Sequence, residues 1–162
     1  MLWVKTFFGI LFQTILLGIF LYLPALTLNW SDAFLLLTIH FLMTILASAY
    51  LLIVKPESIE ARMNYNSKTQ PKEDRLATAL MFSAIFVGLS LAPIDIFHLN
   101  LSSSFEGSIK NIGLAIYIIG MLLFMASINA NEFAETTVNI QEERGQKVID
   151  TGIYSIVRHP MY

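Results

Sequence analysis

The side chains best equipped for chemistry are concentrated in residues 147–162, Lys147-Val148-Ile149-Asp150-Thr151-Gly152-Ile153-Tyr154-Ser155-Ile156-Val157-Arg158-His159-Pro160-Met161-Tyr162. Arg158 offers a planar guanidinium fork that matches a carboxylate. His159 is the one residue of the stretch suited to removing a proton near neutral pH. Pro160 biases His159 toward extended backbone, which fixes how its ring is presented. Tyr154 and Tyr162 carry phenols that stack on a base or face a cation. Asp150-Thr151-Gly152 is a turn signal, preceded by the short β-branched pair Val148-Ile149. Taken alone, this is a folded-back connector with exposed amides, suited to a small anionic or zwitterionic ligand. The same Tyr, Arg and His side chains also suit an anchor at lipid headgroups.

What positions this stretch is hydrophobic. Of 162 residues, 56% are hydrophobic and 14% charged, against roughly 25% charged in soluble domains. The apolar residues fall into four long runs, which identifies an integral membrane protein. A net charge of −2 provides no field to draw nucleic acid. There is no cysteine, which removes disulfides, thiolate metal sites and a cysteine nucleophile. No metal site is expected.

The first run, Thr6 to Leu28, carries no charge. As a helix it would rise roughly 34 Å, enough for a hydrocarbon core of about 30 Å. It exceeds the ~7–15 residues of a signal-peptide core and lacks a small-x-small site, so it is expected to stay in the mature protein. Gln13 is its one amide, expected to bond a neighbouring helix. Asn29-Trp30-Ser31-Asp32 is a tight connection in which Asp32 can cap the next helix. The second run, Ala33 to Val54, places His40, Thr44 and Ser48 on one polar stripe. A transporter would use such a stripe as a proton relay; with no carboxylate in it, interhelical hydrogen bonding is the plainer reading.

Residues 55–75 form a polar loop, within which Pro56 to Arg62 is expected to start a short helix. The third run is 76–96. Its Ala84, Gly88 and Ala92 would allow close approach of another helix. Residues 97–110 are polar again, and the fourth run is 111–128. Beyond it Phe133, Val138 and Ile140 retain apolar contact, as in an interfacial helix. The expected organisation is a transmembrane hairpin (1–54, spans 6–28 and 33–54), a loop (55–75), a second hairpin (76–128, spans 76–96 and 111–128) and an interfacial segment (129–162).

Basic residues orient this arrangement. Lys5, the 55–75 loop and the tail together hold nine of the ten Lys and Arg. Four spans place all three regions on one side, which the positive-inside rule makes cytoplasmic. The expectation is therefore an all-α integral membrane protein, four helices with both termini cytoplasmic. A bacterial inner membrane is the expected location.

Several motifs resemble the isoprenylcysteine carboxyl methyltransferase family, which includes phospholipid methyltransferases. They are Asn131-Glu132-Phe133, Val138-Asn139-Ile140-Gln141, Arg144-Gly145, Val148 to Tyr154, and above all Val157-Arg158-His159-Pro160-Met161-Tyr162. The 56–75 loop, with Pro56-Glu57, Arg62 and Lys72-Glu73-Asp74-Arg75, is similar to that of bacterial members. The likeness is specific over 129–162, weaker over 55–75, and only hydrophobic elsewhere. It implies a membrane enzyme that uses S-adenosyl-L-methionine. It also implies that Val148, Ile149, Gly152, Tyr154, His159, Pro160 and Tyr162 line the cofactor pocket, with Arg158 and His159 as catalytic residues. Ile153 stands where many members have proline. In the family a further membrane helix and a Glu-containing segment follow, so the chain reads as an N-terminal fragment.

The implied acceptor is a lipidic carboxylate of prenylcysteine type, reached from the bilayer. Three readings stand beside it: methylation of a phospholipid or small amine, a sterol-type membrane reductase, and a transport or structural protein built on the His40 stripe. No Gly-x-Gly nucleotide loop supports a soluble-type methyltransferase. The sequence leaves the acceptor and the oligomeric state open.

Overall fold

The computed structural model describes residues 1–63, 72–101, 107–131, 133, 145, 147–158 and 160. Among the described residues every regular element is helical. In chain order these are α1 (Leu2–Ala25), α2 (Ser31–Val54), α3 (Pro56–Met63), α4 (Lys72–Ile94), a π turn (Asp95–Leu99), α5 (Ser108–Ala130) and a 3-10 turn (Gly152–Ser155). Helices α1, α2, α4 with its π turn, and α5 are each long and apolar enough to cross a membrane. The chain is thus an all-helical, multi-pass membrane protein. The expected interfacial segment around Val138 and Ile140 lies outside the described residues.

The helices do not keep to the apolar runs, because a helix needs no apolar residue to continue into the headgroup layer. α5 starts at Ser108 and ends at Ala130, five residues longer than its run. α1 instead stops at Ala25, ahead of Leu28. Pro24 removes a backbone donor in the last turn. Leu26 then turns left-handed (φ 54°), with its N–H on the Leu23 carbonyl at 3.3 Å.

The connection to α2 is fastened by side chains. The Tyr22 hydroxyl donates to the Trp30 carbonyl (3.2 Å), and the Asn29 N–H donates to the Thr27 hydroxyl (3.1 Å). The Trp30 ring meets Tyr22 and Phe97 edge-on, at 6.4 and 5.3 Å. Asp32 does not cap α2. The cap position is Trp30, without a side-chain bond, and Asp32 lies inside the first turn, paired with Lys110 at 2.5 Å.

Pro93, fully buried, interrupts the hydrogen-bond ladder of α4 near its end, and the chain continues as a wider π turn. Asp95 closes that turn twice. Its backbone carbonyl accepts from the Asn100 N–H and its carboxylate from the Leu101 N–H, both at 2.8 Å. His98 Nε2 lies 2.8 Å from the Pro24 carbonyl. A carbonyl only accepts, so Nε2 carries the proton, and it satisfies one of the carbonyls orphaned at the end of α1.

The four spans stand in a row, α4–α1–α2–α5, and among the described residues α4 and α5 do not touch. α4 meets α1 through Phe86, stacked on Phe20 (4.2 Å, 14°), and through Ser90, whose hydroxyl donates to the Phe20 carbonyl (3.4 Å). That face turns Ala84, Gly88 and Ala92 outward. All three are exposed, and a Cβ on Gly88 would meet nothing within 4 Å. The best-packed cluster sits where α1 begins and α2 and α5 end. There Leu51, Leu52 and Ile59 are buried together, with Leu2 and Ile128 against them.

Candidate functional site

Three chain segments converge beside that cluster, at the foot of the bundle. The first is the α2–α3 junction. Lys55 breaks the helix (φ −143°), and Pro56 opens α3, as its fixed φ and missing N–H suit the first helical position. Glu57 lies in the first turn of α3 and Arg62 in the last, complementing the helix dipole. Arg62 Nη1 donates to the Ser58 hydroxyl at 2.9 Å, and Ser58 and Ile59 are buried.

The second segment is the end of α5. The Lys55 ammonium crosses to it and donates to the Asn129 carbonyl. Carbonyls in a last turn have no intrahelical donor, so this contact completes the helix and places a cation at its negative end. Ser127 is fully buried, with its hydroxyl turned back on the Leu123 carbonyl at 2.7 Å. The side-chain oxygen of Asn129 is buried without a partner among the described residues.

The third segment is the 3-10 turn. Asn131 leaves α5 in extended conformation, and its carboxamide works in two directions. The oxygen accepts from the Phe133 N–H at 3.0 Å, and the nitrogen donates to the Tyr154 hydroxyl at 3.3 Å. Gly152 opens the turn with φ +61°, and a Cβ there would sit 3.4 Å from that of Ala130. Left-handed backbone and close approach both call for glycine. The Tyr154 N–H bonds the Thr151 carbonyl (3.2 Å), and the Ser155 hydroxyl bonds the Gly152 carbonyl (2.7 Å). The turn signal at Asp150-Thr151-Gly152 is thereby realised.

Of the residues singled out from sequence, Gly152 and Tyr154 are held against the end of α5. Ile149 and Pro160 are half-buried; Arg158 is exposed and Val148 is 92% exposed. His159 and Tyr162 lie outside the described residues. Lys55 and Asn131 have structural roles that sequence reading did not assign. The available signals were a lysine directly before a helix-starting proline and an amide directly after the last apolar turn.

A separate polar centre lies within the membrane. His40 is 7% exposed. Its Nδ1 is 2.7 Å from the Tyr117 hydroxyl, and its Nε2 is 3.5 Å from the Gln13 amide nitrogen. Gln13 thus bonds a neighbouring helix, and the head of the His40 stripe is an interhelical junction of α1, α2 and α5. The Thr44 hydroxyl, one turn on, is buried without a partner among the described residues. Tyr117 was not anticipated, although it is the one phenol in the apolar run of α5.

No curated protein and no solved structure matches the chain. Residues 58–162 match a family model described as "Protein of unknown function (DUF1295)". The match runs from α3 to the Arg158-His159-Pro160 motif and covers more than half of the chain, which therefore belongs to that family.

Proposed function

We propose that the chain forms the cofactor-binding part of a membrane methyltransferase, one that uses S-adenosyl-L-methionine to methylate a lipidic carboxylate at the cytoplasmic face. The observation that carries this reading is the clustering at the bundle foot. Of the family-like motif, Tyr154 is tied by Asn131 to the end of α5 and Gly152 lies against Ala130 there. A soluble donor arriving from water and an acceptor arriving from lipid would meet at such a boundary.

The described side chains fit the chemistry of this donor. Arg158 supplies a fork for its carboxylate, and the buried Asn129 oxygen, without a partner among the described residues, supplies an acceptor for its ammonium. Tyr154 and Val148 supply ring and aliphatic surface for adenine. When bound, the donor offers an electrophilic methyl group, whose carbon–sulfur bond breaks as a bond to the acceptor oxygen forms. An α-carboxylate has a pKa near ~3.5 and is already ionised, so no residue need act as base. The protein's contribution is then alignment and removal of water from the nucleophile. An amine acceptor would need a base, and His159 would supply it.

The test is equilibrium binding of S-adenosyl-L-methionine and of NADPH to the purified protein, with transfer of a labelled methyl group to a prenylcysteine analogue. The methyl donor should bind, and Arg158→Ala should weaken it about tenfold or more, the worth of a hydrogen bond to a charged group. NADPH binding without methyl-donor binding would establish the reductase reading instead. Activity lost with His40→Ala but kept with His159→Ala would establish the transport or structural one.

A further inference from the structure

At the end of the bundle opposite the foot, the starts of α2 and α5 leave a cleft of about 320 Å³ between them. The Asp32–Lys110 ion pair stands at its mouth, within the first turns of both helices. Leu35, Leu36 and Leu114 line its walls, and Gly113 leaves it open on the α5 side. Tyr117 closes it, seven residues or about 10 Å further along α5. The Tyr117 hydroxyl is engaged by His40 at 2.7 Å, so the depth of the cleft is apolar.

Position and polarity select the occupant. An apolar cleft at membrane depth is not a place for water, whose hydrogen bonds it cannot satisfy. Among the described residues α4 does not cover α5, and in a membrane-spanning bundle the material at hand on such a side is lipid. A lipid chain seated there brings its headgroup to the ion pair. Lys110 and Asp32 are 46% and 44% exposed, and exposed pairs are weakly held and exchange partners readily.

We propose that this cleft is a binding site for a phospholipid with a primary amine, of the phosphatidylethanolamine type. Lys110 takes the phosphate and Asp32 takes the ammonium, while one acyl chain runs along Leu35 and Leu114 toward the Tyr117 ring. A primary ammonium donates three hydrogen bonds, which a carboxylate accepts; a quaternary ammonium donates none. Asp32 therefore discriminates between the two zwitterionic headgroups, and it disfavours an anionic headgroup without amine. The site is independent of the foot of the bundle and of the activity proposed for it.

The test is native mass spectrometry of the full chain, released from membranes in mild detergent, with equal amounts of phosphatidylethanolamine, phosphatidylcholine and phosphatidylglycerol. Phosphatidylethanolamine should be retained about tenfold over each of the others, which corresponds to about 1.4 kcal/mol. Asp32→Asn should erase its advantage over phosphatidylcholine while lipid stays bound. Lys110→Gln should lose all three lipids. Gly113→Phe fills the cleft with both charges in place, and a Cβ there meets nothing within 4 Å, so the helix tolerates it; retention should vanish. Equal retention of the ethanolamine and choline lipids by the unaltered chain, preference for the glycerol lipid, or retention unchanged by Gly113→Phe would each overturn the proposal.

Discussion

By composition α1 and α5 are nearly the same helix, 24 and 23 residues long and each apolar enough to cross a membrane. Their surroundings are not alike. α1 lies between α2 and α4 and buries Thr6, Ile10, Leu21 and Ala25; α5 buries only Ser127. Lipid tails solvate apolar side chains as well as another helix does, so hydropathy gives α5 no reason to attach. What holds it is polar, at three heights: Lys110 to Asp32 at one end, Tyr117 to His40 midway, and the Asn129 carbonyl to Lys55 at the foot. α1 has polar ties too, Gln13 to His40 and the Phe20 and Pro24 carbonyls to Ser90 and His98, but it adds close fit, as where Gly18 leaves room for Leu37, 3.5 Å from where a Cβ would sit. In this molecule apolarity decides that a helix enters the membrane, and a few polar atoms decide which helix it stands beside.

The contrast can be broken at the foot of α5 first. Gly152→Val forces a β-branched residue into left-handed backbone 3.4 Å from Ala130, at a cost of about 2 kcal/mol. Hydrogen exchange of the 152–157 amides should accelerate, while that of α1 stays unchanged. Next comes the middle pin. His40→Leu strands the Tyr117 hydroxyl and the Gln13 amide in hydrocarbon and should cost about 1–2 kcal/mol in detergent unfolding. Adding Tyr117→Phe should recover part of that loss, because a stranded polar group costs more than an absent one. Full additivity of the two substitutions would show that the pin is not an interaction.

Lys55→Met should be milder, about 0.5–1 kcal/mol, the worth of a cation at a helix C-terminus. Spin labels at the ends of α2 and α5 should report a broader distance distribution. The smallest effect belongs to Asp32→Asn, at most about 1 kcal/mol for an exposed pair. Its difference from the unaltered protein should disappear near ~1 M salt, where screening is nearly complete.

The four spans were legible because apolar runs of this length, with at most one charge near an end, have no other stable setting. The short helix α3 was legible from Pro56, and the turn at 150–152 from its Gly. The attachment of helices was not, because it depends on single atoms. Asp32 looked like a cap by position, yet Lys110, 78 residues away, claimed it. The small-residue stripe on α4 looked like a packing face, yet Phe86 and Ser90 set the opposite rotation. His40 was visible and Tyr117 was not, since a tyrosine in an apolar run usually reads as interfacial. For the motif itself, sequence proposed a ligand for Gly152 and Tyr154, and the structure adds the scaffold that holds them, Asn131 and Ala130.

The row of helices has a bearing on biosynthesis. Each span finds its neighbour among those made before it: α2 beside α1, α4 beside α1, α5 beside α2. Packing neighbours are thus in place when each later span emerges, while Asp32 and His40 of α2 gain their partners Lys110 and Tyr117 only with α5. The four spans can therefore pack in the order in which they are translated, and α5, the last of them, fastens the polar groups that α2 has carried until then.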